Sequence, residues 1–120
     1  MKVLLINGSP HEKGCTYTAL SLIAGELKAQ GIETEILHVG GQPVGGCIGC
    51  GGCAKGNGCV FGGVVNEAIE KAKTADAFVF GSPVHYASAA GNMASFMDRL
   101  AYAGGKYLAY KPAAVCCSAR

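Results

Sequence analysis

The chain has 120 residues, half of them hydrophobic and 15% charged, with a formal net charge of +2. That length suits one domain with a single core, and the apolar content excludes a disordered chain. The basic residues are scattered, which excludes the clustered cationic face of a nucleic-acid binder, and no apolar run approaches the roughly 18 residues of a membrane-spanning helix. Val3-Leu4-Leu5-Ile6 is too short for a secretory signal core and runs into a Gly-Ser-Pro turn, so a cytoplasmic protein is expected.

Val3 to Ile6 reads as a strand buried on both faces, as in a parallel sheet. From Thr16 to Gln30, Leu20, Ile23, Ala24 and Leu27 follow helical spacing, and Gly31 stands as a helix stop. Thr34 to Val39 predicts a second strand, less apolar and so nearer the sheet edge. A loop follows from about Gly40 to Gly63, holding eleven of the 19 glycines. A loop of that length inside a compact domain is usually functional. Val65, Ala68, Ile69 and Ala72 place a helix over Val64 to Thr74. Ala77 to Phe80 predicts a third buried strand, stopped by Gly81-Ser82-Pro83. Asn92 to Ala103 reads as a helix with Met93, Phe96, Met97 and Leu100 on one face, ended by Gly104-Gly105. Ala113 to Cys117 predicts a fourth strand.

Strands alternating with helices imply one α/β domain over residues 1–120, three layers deep, with a doubly wound parallel sheet and right-handed crossovers. Ligands of such sheets bind beyond the carboxyl ends of the strands. The segments there are Asn7 to Cys15, the Gly/Cys loop at 40–63, Ser82 to Gly91, and Ser118 onward.

Asn7-Gly8-Ser9-Pro10-His11-Glu12-Lys13-Gly14-Cys15-Thr16 leads from the first strand into the first helix. Small residues let the backbone approach a ligand, and a helix start offers free N–H groups and a positive dipole end. Hydroxyls of Ser9, Thr16 and Thr18 can donate to phosphate oxygens, so a terminal monophosphate suits the design. The bland alternative is a well-capped strand–helix turn, although nine residues is long for one. Gly14-Cys15-Thr16 lacks the lysine of a P-loop, and Gly8 is not followed by the spacing of a dinucleotide fingerprint. Asn7-Gly8 and Gly81-Ser82 stand where a response-regulator receiver would need acidic residues.

Seven cysteines are many for this length, and without a secretory signal they do not suggest a disulfide framework. Cys47, Cys50, Cys53 and Cys59 form C-x2-C-x2-C-x5-C among glycines. Compact runs of this kind bring thiolates onto one small iron–sulfur cube. A four-cysteine zinc site and free, metal-less thiols remain open as alternatives. Cys116 and Cys117 end an apolar strand and read as core or near-core residues.

Gly8-Ser9-Pro10 with Gly14-x-Thr16, followed by Gly81-Ser82-Pro83-Val84-His85-Tyr86 and Phe96-Met97-Asp98-Arg99, resembles the NADPH-dependent FMN reductase family of flavodoxin-like proteins. The cysteine spacing resembles the compact motif of its iron–sulfur flavoprotein branch. The resemblance spans nearly the whole chain. It implies a flavodoxin-like sheet in the order 2-1-3-4, with a fifth strand missing, and FMN as cofactor. By position, Ser9, His11, Gly14, Cys15 and Thr16 would hold the FMN phosphate, and Pro83, Val84, His85 and Tyr86 would lie along the ring. For His85 and Tyr86 the alternative is an ordinary exposed loop pair. His11 and Cys15 depart from the arginine and asparagine often found there, but both still present a polar atom or an N–H. Cys47, Cys50, Cys53 and Cys59 would carry a 4Fe–4S cluster.

A third flavin loop would begin at Ser118-Ala119-Arg120. The fourth strand would then have an unpaired edge, so the chain is expected to be the N-terminal part of a longer protein or to have that edge covered by a partner. The implied activity is a flavin-dependent oxidoreductase fed by NAD(P)H. The alternative is an electron carrier between cluster, FMN and a ferredoxin-like protein. Hydride transfer happens on the flavin, so no catalytic side chain is assigned. Small-molecule or protein electron donors and acceptors and a homo-oligomer are expected, and neither nucleic acid nor membrane.

Overall fold

A computed structural model describes residues 1–119; Arg120, the last residue of the expected third loop, lies outside the described residues. The elements are β1 (Lys2–Asn7), α1 (Cys15–Ala29), β2 (Glu33–His38), one 3-10 turn (Gly52–Lys55), α2 (Val64–Thr74), β3 (Ala77–His85), β4 (Ser88–Ala89), α3 (Gly91–Leu108) and β5 (Ala113–Ser118). The parallel strands run in the order β2-β1-β3-β5, which is the expected 2-1-3-4 order with β5 as the fourth parallel strand. The two-residue β4 folds back antiparallel on β3.

Side chains of β1 alternate between two cores because a strand turns successive residues to opposite faces. Val3 and Leu5 meet Leu20 and Ala24 of α1 on one face. Leu4 and Ile6 meet Val65, Ile69, Met93, Phe96 and Leu100 of α2 and α3 on the other. Both faces being covered explains why β1 reads as an unbroken apolar run. β2 lies at the sheet edge, beside β1 alone, as its mixed composition suggested. α1 ends as expected at Gly31, whose N–H donates to Lys28 O while that of Ile32 donates to Leu27 O, the paired bonds of a Schellman stop.

Two glycine signals mean something other than a chain stop. β3 does not end at Phe80; Gly81, Ser82 and Pro83 stay in the sheet opposite Cys116, Cys117 and Ser118. A Cβ on Gly81 would stand 2.9 Å from Leu20 Cδ1 and 3.0 Å from Thr16 Cγ2, so glycine here lets α1 lie close on the sheet. α3 likewise runs through Gly104-Gly105 to Leu108. A Cβ on Gly104 would meet Ile69 Cγ1 at 2.8 Å, so this glycine serves the contact between α2 and α3. The β3–β4 hairpin turns on Tyr86 (φ 50°) and Ala87 (φ 65°), consecutive left-handed residues of the kind a two-residue primed turn needs.

Candidate functional site

The first loop is tied down by groups at its own edges. Asn7 is fully buried at the end of β1; its Oδ1 accepts from the Ser9 N–H at 3.1 Å and its Nδ2 donates to Glu12 O at 3.0 Å. The His11 N–H donates to Ser9 Oγ at 3.1 Å. From the end of β2, His38 Nε2 donates to Ser9 O at 2.7 Å, which places the ring proton on Nε2. Gly40 packs so closely beneath that a Cβ would stand 2.3 Å from Ser9 O. α1 begins after Gly14 with no side-chain cap, which leaves first-turn N–H groups directed into the loop.

Above these groups lies an open cavity of about 530 Å³, within the size range of cofactor sites. Ser9, His11, Gly14, Cys15 and Thr16 of the first loop line it, with Pro83, Val84 and His85 from the end of β3 and Ser118 from the end of β5. Thr16 Oγ1 and Ser118 Oγ are 3.0 Å apart in a hydrogen bond that joins the first loop to β5. Tyr86 stands apart, fully exposed at the hairpin tip and outside the cavity lining. Thr18 Oγ1 donates back to Gly14 O at 3.2 Å. Asn7, His38 and Gly40 escaped sequence reading because their roles are backbone support, for which a polar or small residue at a strand end is a weak signal.

Cys47, Cys50, Cys53 and Cys59 all line a second cavity of about 150 Å³ over α3. Ile48, Val60, Phe61 and Tyr102 supply most of its apolar wall. Glycines at Gly49 (φ 66°) and Gly51 (φ 71°) let the chain curl between the thiols. Among the described residues no three Cys, His, Asp or Glu side chains converge to metal-ligating distance. The shared cavity and the donor set nevertheless fit a thiolate-bound group.

Three side chains hold this loop. Asn92 Nδ2 donates to Gly40 O and Gln42 O, and its Oδ1 accepts from the Val44 N–H. Asn66 pairs with the Cys59 backbone through two bonds of 2.8 Å. Arg99, only 8% exposed, donates from Nε to Cys59 Sγ at 3.3 Å, from Nη1 to Gly45 O at 3.2 Å and from Nη2 to Gly62 O at 3.1 Å. Burial pushes the Cys59 thiol up, but backbone hydrogen bonds from Phe61 and Gly62 and the Arg99 guanidinium outweigh it and hold the thiol below its ordinary value. Cys116 goes the other way, raised by burial and by the neighbouring Cys117. The signal for Arg99 was present in the sequence: it lies three residues after Phe96 and one before Leu100, a charge inside the apolar stripe of α3.

An open parallel sheet in the order β2-β1-β3-β5, with an uncapped helix start and a cofactor-sized cavity at its carboxyl end, defines a flavodoxin-like α/β domain. The chain belongs to the family described as NADPH-dependent FMN reductase, whose sequence model matches residues 1–120. It is 37% identical over 99 residues to an iron-sulfur flavoprotein of Archaeoglobus fulgidus, a match covering 82% of this chain and 48% of that protein. An iron-sulfur flavoprotein of Methanocaldococcus jannaschii is 33% identical over 99 residues, 82% of this chain and 51% of the relative. The chain thus spans about half the length of the curated relatives it matches. Among solved structures, the apo form of an NADH:FMN oxidoreductase aligns with a TM-score of 0.71 at 20% identity, covering 98% of this chain and 58% of that one. An NAD(P)H:quinone oxidoreductase from Methanothermobacter marburgensis aligns at 0.72 and 18%, covering 99% and 66%. At these identities the structural likeness is one of fold. No helix among the described residues is long and apolar enough to cross a membrane.

Proposed function

We propose that this chain is a single FMN-binding domain of an NAD(P)H-dependent oxidoreductase. The observation that carries the reading is the cavity at the sheet's carboxyl end, which gathers nine of the ten expected flavin contacts, Ser9, His11, Gly14, Cys15, Thr16, Pro83, Val84, His85 and Ser118. The first-turn N–H groups of α1 and the hydroxyls of Ser9 and Thr16 would surround the phosphate dianion. Pro83, Val84 and His85 would lie along the ring and exclude water. Tyr86, fully exposed at the hairpin tip and outside the cavity lining, has the least support among the ten. Bound FMN would supply the hydride acceptor, so the residues bind, orient and shield without a side-chain acid or base. Electron donors and acceptors, a homo-oligomer and a cytoplasmic location belong to the same proposal.

A second reading, electron relay through a 4Fe–4S cluster, is favoured by four thiols lining one cavity. Cys47, Cys50, Cys53 and Cys59 would be the ligands, and the naming of the curated relatives as iron-sulfur flavoproteins supports it. An anaerobic absorption spectrum, with released flavin and iron quantified, tests both readings. One FMN per chain, bleached by NADH or NADPH, is expected. About four irons per chain would establish the cluster. No FMN after reconstitution would overturn the first reading, and FMN without iron would overturn the second.

A further inference from the structure

We propose that Arg99 is the positioning residue of the cysteine loop: its buried guanidinium ties the two ends of the loop together and fixes a cation beside the Cys59 sulfur. This inference rests on the cluster reading for its consequence but not for its geometry.

Arg99 sits in the middle of α3, with Phe96 and Leu100 packed in the core on either side. Its fork reaches two backbone carbonyls 17 residues apart in sequence, Gly45 before the first cysteine of the loop and Gly62 after the last. One rigid group bonded to both carbonyls sets the span of the loop mouth. The third donor, Nε, is spent on a sulfur rather than a carbonyl. A lysine has no such fork, and a neutral side chain brings no charge. The Phe61 ring lies 5.9 Å from the guanidinium carbon and covers part of the cation from solvent. A buried cation costs free energy unless an anion or strong acceptors face it. Two carbonyls meet part of that need, and the remaining positive field points at the sulfur lining the cavity. A thiolate-bound metal group carries net negative charge, and that charge grows on reduction. A cation fixed beside one ligand therefore favours the reduced state and raises the potential.

The test uses the full chain in iron-free and iron-loaded forms, as wild type, Arg99→Gln and Arg99→Lys. In the iron-free form, the rates at which iodoacetate and iodoacetamide alkylate Cys59 are compared by peptide mass spectrometry. Their ratio reports local positive charge, because one reagent is an anion, the other is neutral, and the thiolate fraction cancels. Arg99→Gln is expected to lower the ratio about threefold, with Arg99→Lys retaining most of it. Raising the salt concentration should lower the ratio in wild type by less than Arg99→Gln does, because a buried charge is only partly screened, and this measurement needs no variant to fold. After loading with ferrous iron and sulfide, Arg99→Gln should change the reduced-to-oxidised ratio at fixed potential about tenfold toward oxidised, a 59 mV fall for a one-electron couple. A Cys59 ratio indifferent to both salt and Arg99→Gln overturns the proposal, as does an unchanged midpoint in iron-loaded Arg99→Gln. Failure of wild type to take up iron overturns the cluster reading instead, and the alkylation ratio then decides the place of Arg99 by itself.

Discussion

Residues 7–16 and residues 40–63 leave neighbouring strands at the same end of the sheet, yet they are restrained in different ways. The first loop owes its shape mainly to bonds within itself: Asn7 reaches Ser9 and Glu12, two and five residues on, and Ser9 reaches His11, while His38, Gly81 and Ser118 anchor it from other strands. The cysteine loop makes its longest-range bonds to Asn92 and Arg99, 37 to 54 residues away on α3, with Asn66 of α2 closing its far end. Local bonds can form as soon as β1 and α1 meet. Bonds from α3 require most of the domain to be assembled, because loop closure must precede them. The conformation of the first loop is therefore set mostly within a short stretch of chain, whereas that of the cysteine loop depends on helices packed across the fold.

Gly40 is where the two loops touch, so the largest effect is expected there. In Gly40→Ala the new Cβ would fall 2.3 Å from Ser9 O and 2.4 Å from Gly8 O, and both obstacles are backbone. Relief requires moving the first loop off its support, at a cost of about 1–3 kcal/mol. Urea denaturation should show the loss at unchanged slope, and FMN affinity should fall by at least about tenfold, since a loop shifted by a fraction of an ångström misplaces every donor at once. Unchanged flavin affinity in Gly40→Ala would separate the loops and remove the cradle from the proposed flavin site.

Asn66→Ala breaks the cysteine loop alone. Both bonds to the Cys59 backbone disappear and leave a part-buried N–H and C=O unpaired, which costs about 1–3 kcal/mol. Amide exchange around Cys59 should accelerate while that of residues 7–16 stays as in wild type. Faster exchange in both loops would show that they are one unit and would end the contrast between them.

The same contrast explains which features were legible in the sequence. The first loop was readable as a motif because the residues that build it are adjacent; the parallel sheet followed from apolar runs alternating with amphipathic helices, and its strand order from the family resemblance. Gly31 was readable because a helix stop is local. Gly81 and Gly104 carried the same letter but a long-range meaning, room for Leu20 and for Ile69, and were read as stops. The hairpin at Tyr86-Ala87 gave no signal, since neither residue favours the left-handed region it occupies. The cysteine spacing was conspicuous, whereas the side chains that shape it lie on helices that had to be placed first.

Thr16→Val tests a single bond in the proposed flavin cavity. Thr16 is 2% exposed and the swap keeps its shape, so the loss is the hydroxyl and its bond to Ser118. About 1 kcal/mol of stability should go with it, and FMN should bind roughly five- to tenfold more weakly if that hydroxyl also meets the phosphate. Iron content should not change. A stability loss with unaltered FMN affinity would assign Thr16 to joining α1 with β5 and not to the ligand.

The smallest effect is expected away from both loops. Glu35 on β2 accepts from Lys71 of α2, and Lys2 of β1 lies 3.0 Å from its other oxygen. The hydrogen bond from Lys71, then that from Lys2, holds its carboxyl below the ordinary value against the opposing effect of burial. A carboxylate lowered in the folded state contributes stability above its unfolded pKa of about 4.3, and loses it as pH falls through the folded value. The pair is partly exposed, so Glu35→Gln should cost no more than about 1 kcal/mol at neutral pH. The difference from wild type should close on acidification below about pH 4, where wild-type Glu35 also becomes neutral. Because neither loop takes a restraint from Glu35, amide exchange in residues 7–16 and 40–63 should match wild type at neutral pH. A gap that persists at acid pH would mean that the ion pair is not its source, and altered exchange in either loop would mean that β2 transmits more than the position of His38.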